Sequence, residues 1–131
     1  MTYELKVIPN TQIASFCWSG PVTLKERKKN VKIMAQFCRE NSISQLIVDT
    51  RQQISDTLMM DMYDFGTAIP NVMRGIQIAV VCRPSDRDTQ FGETVAADCG
   101  AESHLVYTIE EAISWLTAVE VKLDKPDASD G

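Results

Sequence analysis

The sequence predicts an α/β fold: a single open mixed sheet, mainly parallel, with an antiparallel N-terminal edge hairpin and helices on both faces. Three observations predict it. Leu46-Ile47-Val48 and residues 76–82 are apolar runs without alternation, as in strands buried on both faces. Segments of helical periodicity follow each of them, which makes βαβ units. The first two strand-like segments are instead joined by a short turn, and strands so joined pair antiparallel.

In chain order, residues 3–8 alternate apolar and polar, and Pro9-Asn10-Thr11 makes a turn. Residues 13–18 form a second strand closed by Ser19-Gly20-Pro21, with residues 3–8 outermost in the sheet. The first helix opens at Thr23, and Glu26 three residues on completes a capping box. Its inner stripe is Leu24, Val31, Met34, Ala35 and Cys38, and Asn41 terminates it. Lys25, Arg27, Lys28, Lys29 and Lys32 form its outer face, which is either simply solvated or docks an acidic partner or anionic headgroups.

The central strand is expected to end on Asp49-Thr50-Arg51, with Ser55 or Asp56 capping a second helix. That helix carries Leu58, Met62, Phe65 and Ile69 on one stripe and ends at Pro70. Met59, Met60 and Tyr63 add more apolar surface than one buried face needs. They either fill the core or form a contact surface, since methionine repacks against varied partners. The strand at 76–82 leads into Arg83-Pro84-Ser85-Asp86-Arg87-Asp88 and a third helix with Phe91, Val95 and Cys99 on one face and Gly100 past its end. Residues 104–107 make a last strand. Thr108 and Glu111 then make a second capping box, with Ile109, Ala112, Ile113, Leu116 and Val119 packing inward. The order is β-β-α-β-α-β-α-β-α, with residues 1–123 one domain and 124–131 a disordered tail.

Composition bounds the function. The chain has 131 residues, 44% hydrophobic and 24% charged, ordinary values for one globular domain. A formal charge of −5 argues against nucleic acid as the main partner. No apolar run is long enough to span a bilayer, and no leader pattern is visible. Four cysteines without a CxxC pair fit free buried thiols in a reducing cytoplasm, so the expected location is cytoplasmic. One histidine, His104, leaves a zinc site short of ligands, and no metal or cofactor is expected.

In a parallel sheet the tips after Val48 and Cys82 lie at one end, where ligands of open α/β sheets bind. Asp49, Arg51, Ser55, Asp56 and Thr57 could there meet Arg83, Ser85 and Arg87, beside two helix N-termini that offer free N–H groups. The bland alternative is that Ser55 and Asp88 are caps and the arginines pair with nearby aspartates. Enzyme motifs are missing: there is no GxGxxG, GxxxxGK[ST] or GxSxG. His104 begins its strand, at the opposite end from the polar tips, which argues against a His-based nucleophile site.

Three stretches together carry a resemblance: residues 69–81 (Ile-Pro-Asn-Val-Met-Arg-Gly-Ile-Gln-Ile-Ala-Val-Val), Phe91-Gly92-Glu93-Thr94, and residues 108–116 (Thr-Ile-Glu-Glu-Ala-Ile-Ser-Trp-Leu). They resemble the SpoIIAA-like proteins, grouped with STAS-type (sulfate transporter and anti-sigma-factor antagonist) domains and likened to the CRAL-TRIO lipid-binding fold. The resemblance implies the α/β fold above, with Trp115 as a packing anchor. Anti-sigma-factor antagonists of this kind carry a phosphorylatable serine in Asp-Ser-Ser-Gly at the start of the second helix. Here Ile54-Ser55-Asp56-Thr57-Leu58 stands in that place, without the glycine, so Ser55 or Thr57 would be the acceptor. The CRAL-TRIO likeness implies an apolar ligand between helices and sheet. The expectation is a non-catalytic regulatory module with a protein partner, using the polar tips and Met59, Met60 and Tyr63; a homodimer is compatible with it. The alternative is a carrier or sensor of an anionic or lipid ligand at the carboxyl edge of the sheet.

Overall fold

The computed structural model describes residues 2–55 and 57–123, with side chains described as far as residue 118. The strands are β1 (Thr2–Val7), β2 (Ile13–Val22), β3 (Gln45–Ser55), β4 (Gln77–Val81) and β5 (Ser103–Val106). The helices are α1 (Leu24–Glu40), α2 (Met59–Val72), α3 (Arg87–Asp98) and α4 (Ile109–Leu123). The element order is the expected one. The sheet runs β1-β2-β3-β4-β5, with β1 antiparallel to β2 and every other pair parallel.

Spatial order equal to chain order decides where the helices go. Right-handed crossovers that all step in one direction place their helices on one face. The larger core accordingly joins Phe16, Trp18, Leu46, Val48 and Ile78 of the sheet to Val31, Met34 and Cys38 of α1, Ile69 of α2 and Ala96 of α3. α4 follows the last strand and makes no crossover, so it is free to cover the opposite face. Ala112 and Leu116 pack there on Ile13, Ile47, Ala79, Val81 and Val106. Val119 lies outside the described side chains, as the expected tail 124–131 lies outside the described residues.

Local chemistry sets most boundaries. Thr23 and Glu26 close the capping box of α1 through both hydrogen bonds, and the one that the Thr23 N–H donates to the Glu26 carboxylate holds that carboxyl below its usual pKa. Thr108 and Glu111 close a second capping box at α4. α3 ends in a Schellman motif: Gly100, at φ +109°, donates to the Ala97 carbonyl, and Ala101 donates to that of Ala96.

Four expectations need correction. β2 does not stop at Ser19-Gly20-Pro21 but runs through them to Val22, because β3 continues alongside it. Pro21 is tolerated because the last β1 pair is Thr2 with Ser19, so its missing N–H costs no ladder bond on that side. β3 in turn passes Arg51 and ends only at Ser55; α2 therefore starts at Met59, with Leu58 as a cap that makes no side-chain bond. Pro70 sits inside α2 near its end, where one lost N–H bond is tolerated, and the helix runs on to Val72.

Some side chains also change face. Arg27 is only 2% exposed and belongs to the buried stripe of α1, with Asn30. Leu58 precedes α2 and is exposed, and Cys99 is an exposed C-cap rather than part of the α3 inner face. That inner face is Thr89, Gly92, Val95 and Ala96. Cys38 and Cys82 are the buried thiols.

Candidate functional site

A bulge in β3 organises the carboxyl end of the sheet. Between Cys17–Asp49 and Ser19–Gln52, β2 advances two residues while β3 advances three. One extra residue reverses the inward and outward phase of a strand. Leu46, Val48 and Thr50 face the α1–α3 layer before the bulge; Gln53 and Ser55 face it afterwards. Without the bulge, those two side chains would point to the other face.

Gln53, fully buried, is the centre of a polar cluster. Its Oε1 accepts from Trp18 Nε1, and its Nε2 donates to Asp86 Oδ2 (2.8 Å) and Thr89 Oγ1 (2.6 Å). Asp86 caps α3 by accepting from the Thr89 N–H at 3.1 Å. Arg83 ties in the main chain by donating to the Gln53 carbonyl at 3.0 Å. Next to this cluster the Arg27 side chain donates through Nη2 to Ser55 Oγ (2.9 Å) and through Nε to Thr57 Oγ1 (3.3 Å). Ser55 donates its own hydroxyl proton to Asp88 Oδ2 at 2.8 Å. Burial lowers the Arg27 pKa from its ordinary value, and the fields of Asp86 and Asp88 work against that shift. α1, β3, the β3–α2 segment and α3 are thus laced together by one chain of hydrogen bonds.

The expected site residues do not form one group. Ser55 is a strand residue bridging Arg27 and Asp88, not a helix cap. Thr57 is buried as the second acceptor of Arg27. Asp86, not Asp88, caps α3. Asp49 and Arg51 pair bidentately with each other, at 3.0 and 2.9 Å, on the α4 face. That hydrogen-bonded carboxylate raises the Arg51 pKa. Arg83 donates to the Gln53 main chain, and Ser85 and Arg87 are exposed. Asp56 lies outside the described residues.

Two features stand beside the cluster. At the start of α2, Leu58 is 72% exposed, Met60 79%, Tyr63 52% and Met59 48%. Beneath α2 lies a cavity of about 70 Å³ lined by apolar groups such as Met34, Met62, Phe65 and Ile69, with Arg27, Thr50 and Thr89 among its polar lining. Sequence reasoning missed Arg27 and Gln53. The signal for Arg27 was its phase: it lies four residues before Val31 and seven before Met34, on the stripe that is buried. For Gln53 there was none, because its face depends on the bulge.

The fold is shared with known structures. An uncharacterised protein from Shewanella loihica PV-4 with a SpoIIAA-like fold superposes with a TM-score of 0.56 at 11% identity, covering 88% of this chain and 92% of the other. The anti-sigma factor antagonist SpoIIAA, in its unphosphorylated form, gives a TM-score of 0.54 at 9% identity, over 88% and 98% of the two chains. The fold is SpoIIAA-like. No protein-family model matches the sequence, and no curated protein matches it either. The SpoIIAA-like fold here is accompanied by no helix, among the described residues, long and apolar enough to cross a membrane. Nor do three or more His, Cys, Asp or Glu side chains converge among those residues as a metal site would require.

Proposed function

We propose that this chain is a non-catalytic cytoplasmic interaction module that engages a protein partner through the start of α2. The observation that carries the reading is the exposure of Leu58, Met60, Tyr63 and Met59 together at the start of α2, directly after Thr57, which Arg27 holds. Single exposed apolar residues are ordinary, but four large ones within six positions mark a contact surface. Methionine and tyrosine suit that role, one for adaptable packing and the other for rigid area. A photo-crosslinker in place of Met59 should form an adduct in cells. Met60→Asp should abolish capture of the same partner and leave the melting temperature unchanged. No adduct, or an adduct indifferent to Met60→Asp, counts against the reading.

A second reading rests on the cavity beneath α2. A compact apolar molecule with an acceptor facing Arg27 fits its lining, since arginine only donates. At about 70 Å³ it is roughly half the ~150 Å³ of a cavity that takes benzene, so the occupant would be small. Native mass spectrometry of purified protein tests this: an unmodified mass throughout removes the carrier reading.

A further inference from the structure

The β1 edge of the sheet carries a self-complementary pattern, and we infer that it pairs with β1 of a second copy. Ile8 donates to the Ile13 carbonyl, so its N–H points towards β2. Alternation along an antiparallel strand then points Thr2, Glu4 and Lys6 at β2 and leaves the N–H and C=O groups of Tyr3, Leu5 and Val7 aimed at the open edge. Any strand added there must oppose those odd residues with its own outward-facing ones.

For a second β1 running antiparallel, that parity leaves few registers. Centring the pair on Glu4 puts Glu4 opposite Glu4, and centring it on Lys6 puts Lys6 opposite Lys6. Like charges directly opposite are destabilising. Centring on Leu5 uses the whole strand. Leu5 then faces Leu5, Tyr3 faces Val7 of the copy, and Glu4 faces Lys6 twice over. Each of the three outward-facing pairs exchanges two main-chain hydrogen bonds. The contact is isologous, so it closes as a two-fold dimer and extends the sheet across the axis.

The side chains support the same register. Tyr3 stacks on Phe16 with ring centroids 4.8 Å apart, and Leu5 packs against the larger core, so Tyr3, Leu5 and Val7 share the α1–α3 face. Tyr3 remains 48% and Val7 40% exposed, and the copy would cover both. β1 has six residues, the other edge strand β5 only four, and a long edge is the one that proteins need to cover or blunt.

Sedimentation equilibrium and charge exchange test the proposal. The wild-type mass should rise towards twice the monomer between about 10 μM and 1 mM. Glu4→Lys and Lys6→Glu should each weaken association about tenfold, because each makes both cross-strand pairs like-charged. An equimolar mixture of the two variants should associate again, since in the heterodimer one strand brings two positive charges against two negative charges on the other. Leu5→Pro removes an outward N–H without touching the ladder to β2, and should give a folded monomer by circular dichroism. A wild-type monomer across the range overturns the inference, as does a dimer indifferent to the reversals or a mixture that stays monomeric.

Discussion

Arg27 shows how much one side chain can hold at the residue scale. It is a buried cation whose described hydrogen-bond partners are two hydroxyls, with carboxylates one bond further on. Hydrogen bonds to charged groups contribute about 1.5–3 kcal/mol each, more than a neutral bond. Arg27→Ala is therefore expected to lower stability by about 2–4 kcal/mol in urea titration. Ser55→Ala, which removes one link of the same chain, should cost about 1–2 kcal/mol, and the double variant less than the sum because the two share a bond. A loss under about 0.5 kcal/mol for Arg27→Ala, the range of surface substitutions, would show the cluster to be incidental. The thiols give a second expectation. Burial pushes Cys38 and Cys82 up to about 11 from 9.0, so folding favours their neutral forms. That contribution is complete below pH 9 and is lost as the pH climbs through 11. In native protein near neutral pH an aromatic disulfide reagent should label exposed Cys99 quickly and spare Cys38 and Cys82, with all four reacting after denaturation.

Among elements, α2 packs closely on α3 through two glycines, Gly66 and Gly92. A Cβ on Gly66 would lie 2.7 Å from the Gly92 carbonyl oxygen and 2.8 Å from Val95 Cβ. Alanine inside a helix is worth about 1 kcal/mol over glycine, but overpacking costs about 1–3 kcal/mol and here meets backbone. Gly66→Ala should therefore destabilise, against the propensity scale; a higher melting temperature would mean that the helices can part without cost. The same pair of elements shows what the sequence makes legible. Apolar runs, both capping boxes and Gly100 are local signals, and they place every strand and helix in order. The end of β3 is not local. Gln52 to Ser55 read as a polar turn into a helix, yet they are a strand because Ser19 to Val22 pair with them and the bulge turns Gln53 and Ser55 inward. Hence the expected cap at Ser55 is misplaced. The apolar surplus of Met59, Met60 and Tyr63, by contrast, is visible in the sequence, and their exposure shows that they do not fill the core.

For the whole molecule, the proposed surfaces lie on different parts of one rigid sheet: the start of α2 beside the carboxyl end of β3, and the β1 edge two strands away. A two-fold pairing through β1 would carry two α2 surfaces on a continuous sheet, so partner binding could gain by linkage without any new contact. The state of that edge can be read from amide exchange, because the parity of β1 separates its amides into two sets. Glu4 and Lys6 donate into the sheet, whereas Tyr3, Leu5 and Val7 donate outward. In dilute protein the first pair should exchange slowly and the outward three rapidly, although all five share one strand. At about 1 mM the outward three should slow by the dimeric fraction, while Glu4 and Lys6 change little. Uniform protection along β1 at both concentrations would contradict the alternation. Rapid exchange of Tyr3, Leu5 and Val7 at the higher one would leave the edge open to solvent and the second copy without a place to bind.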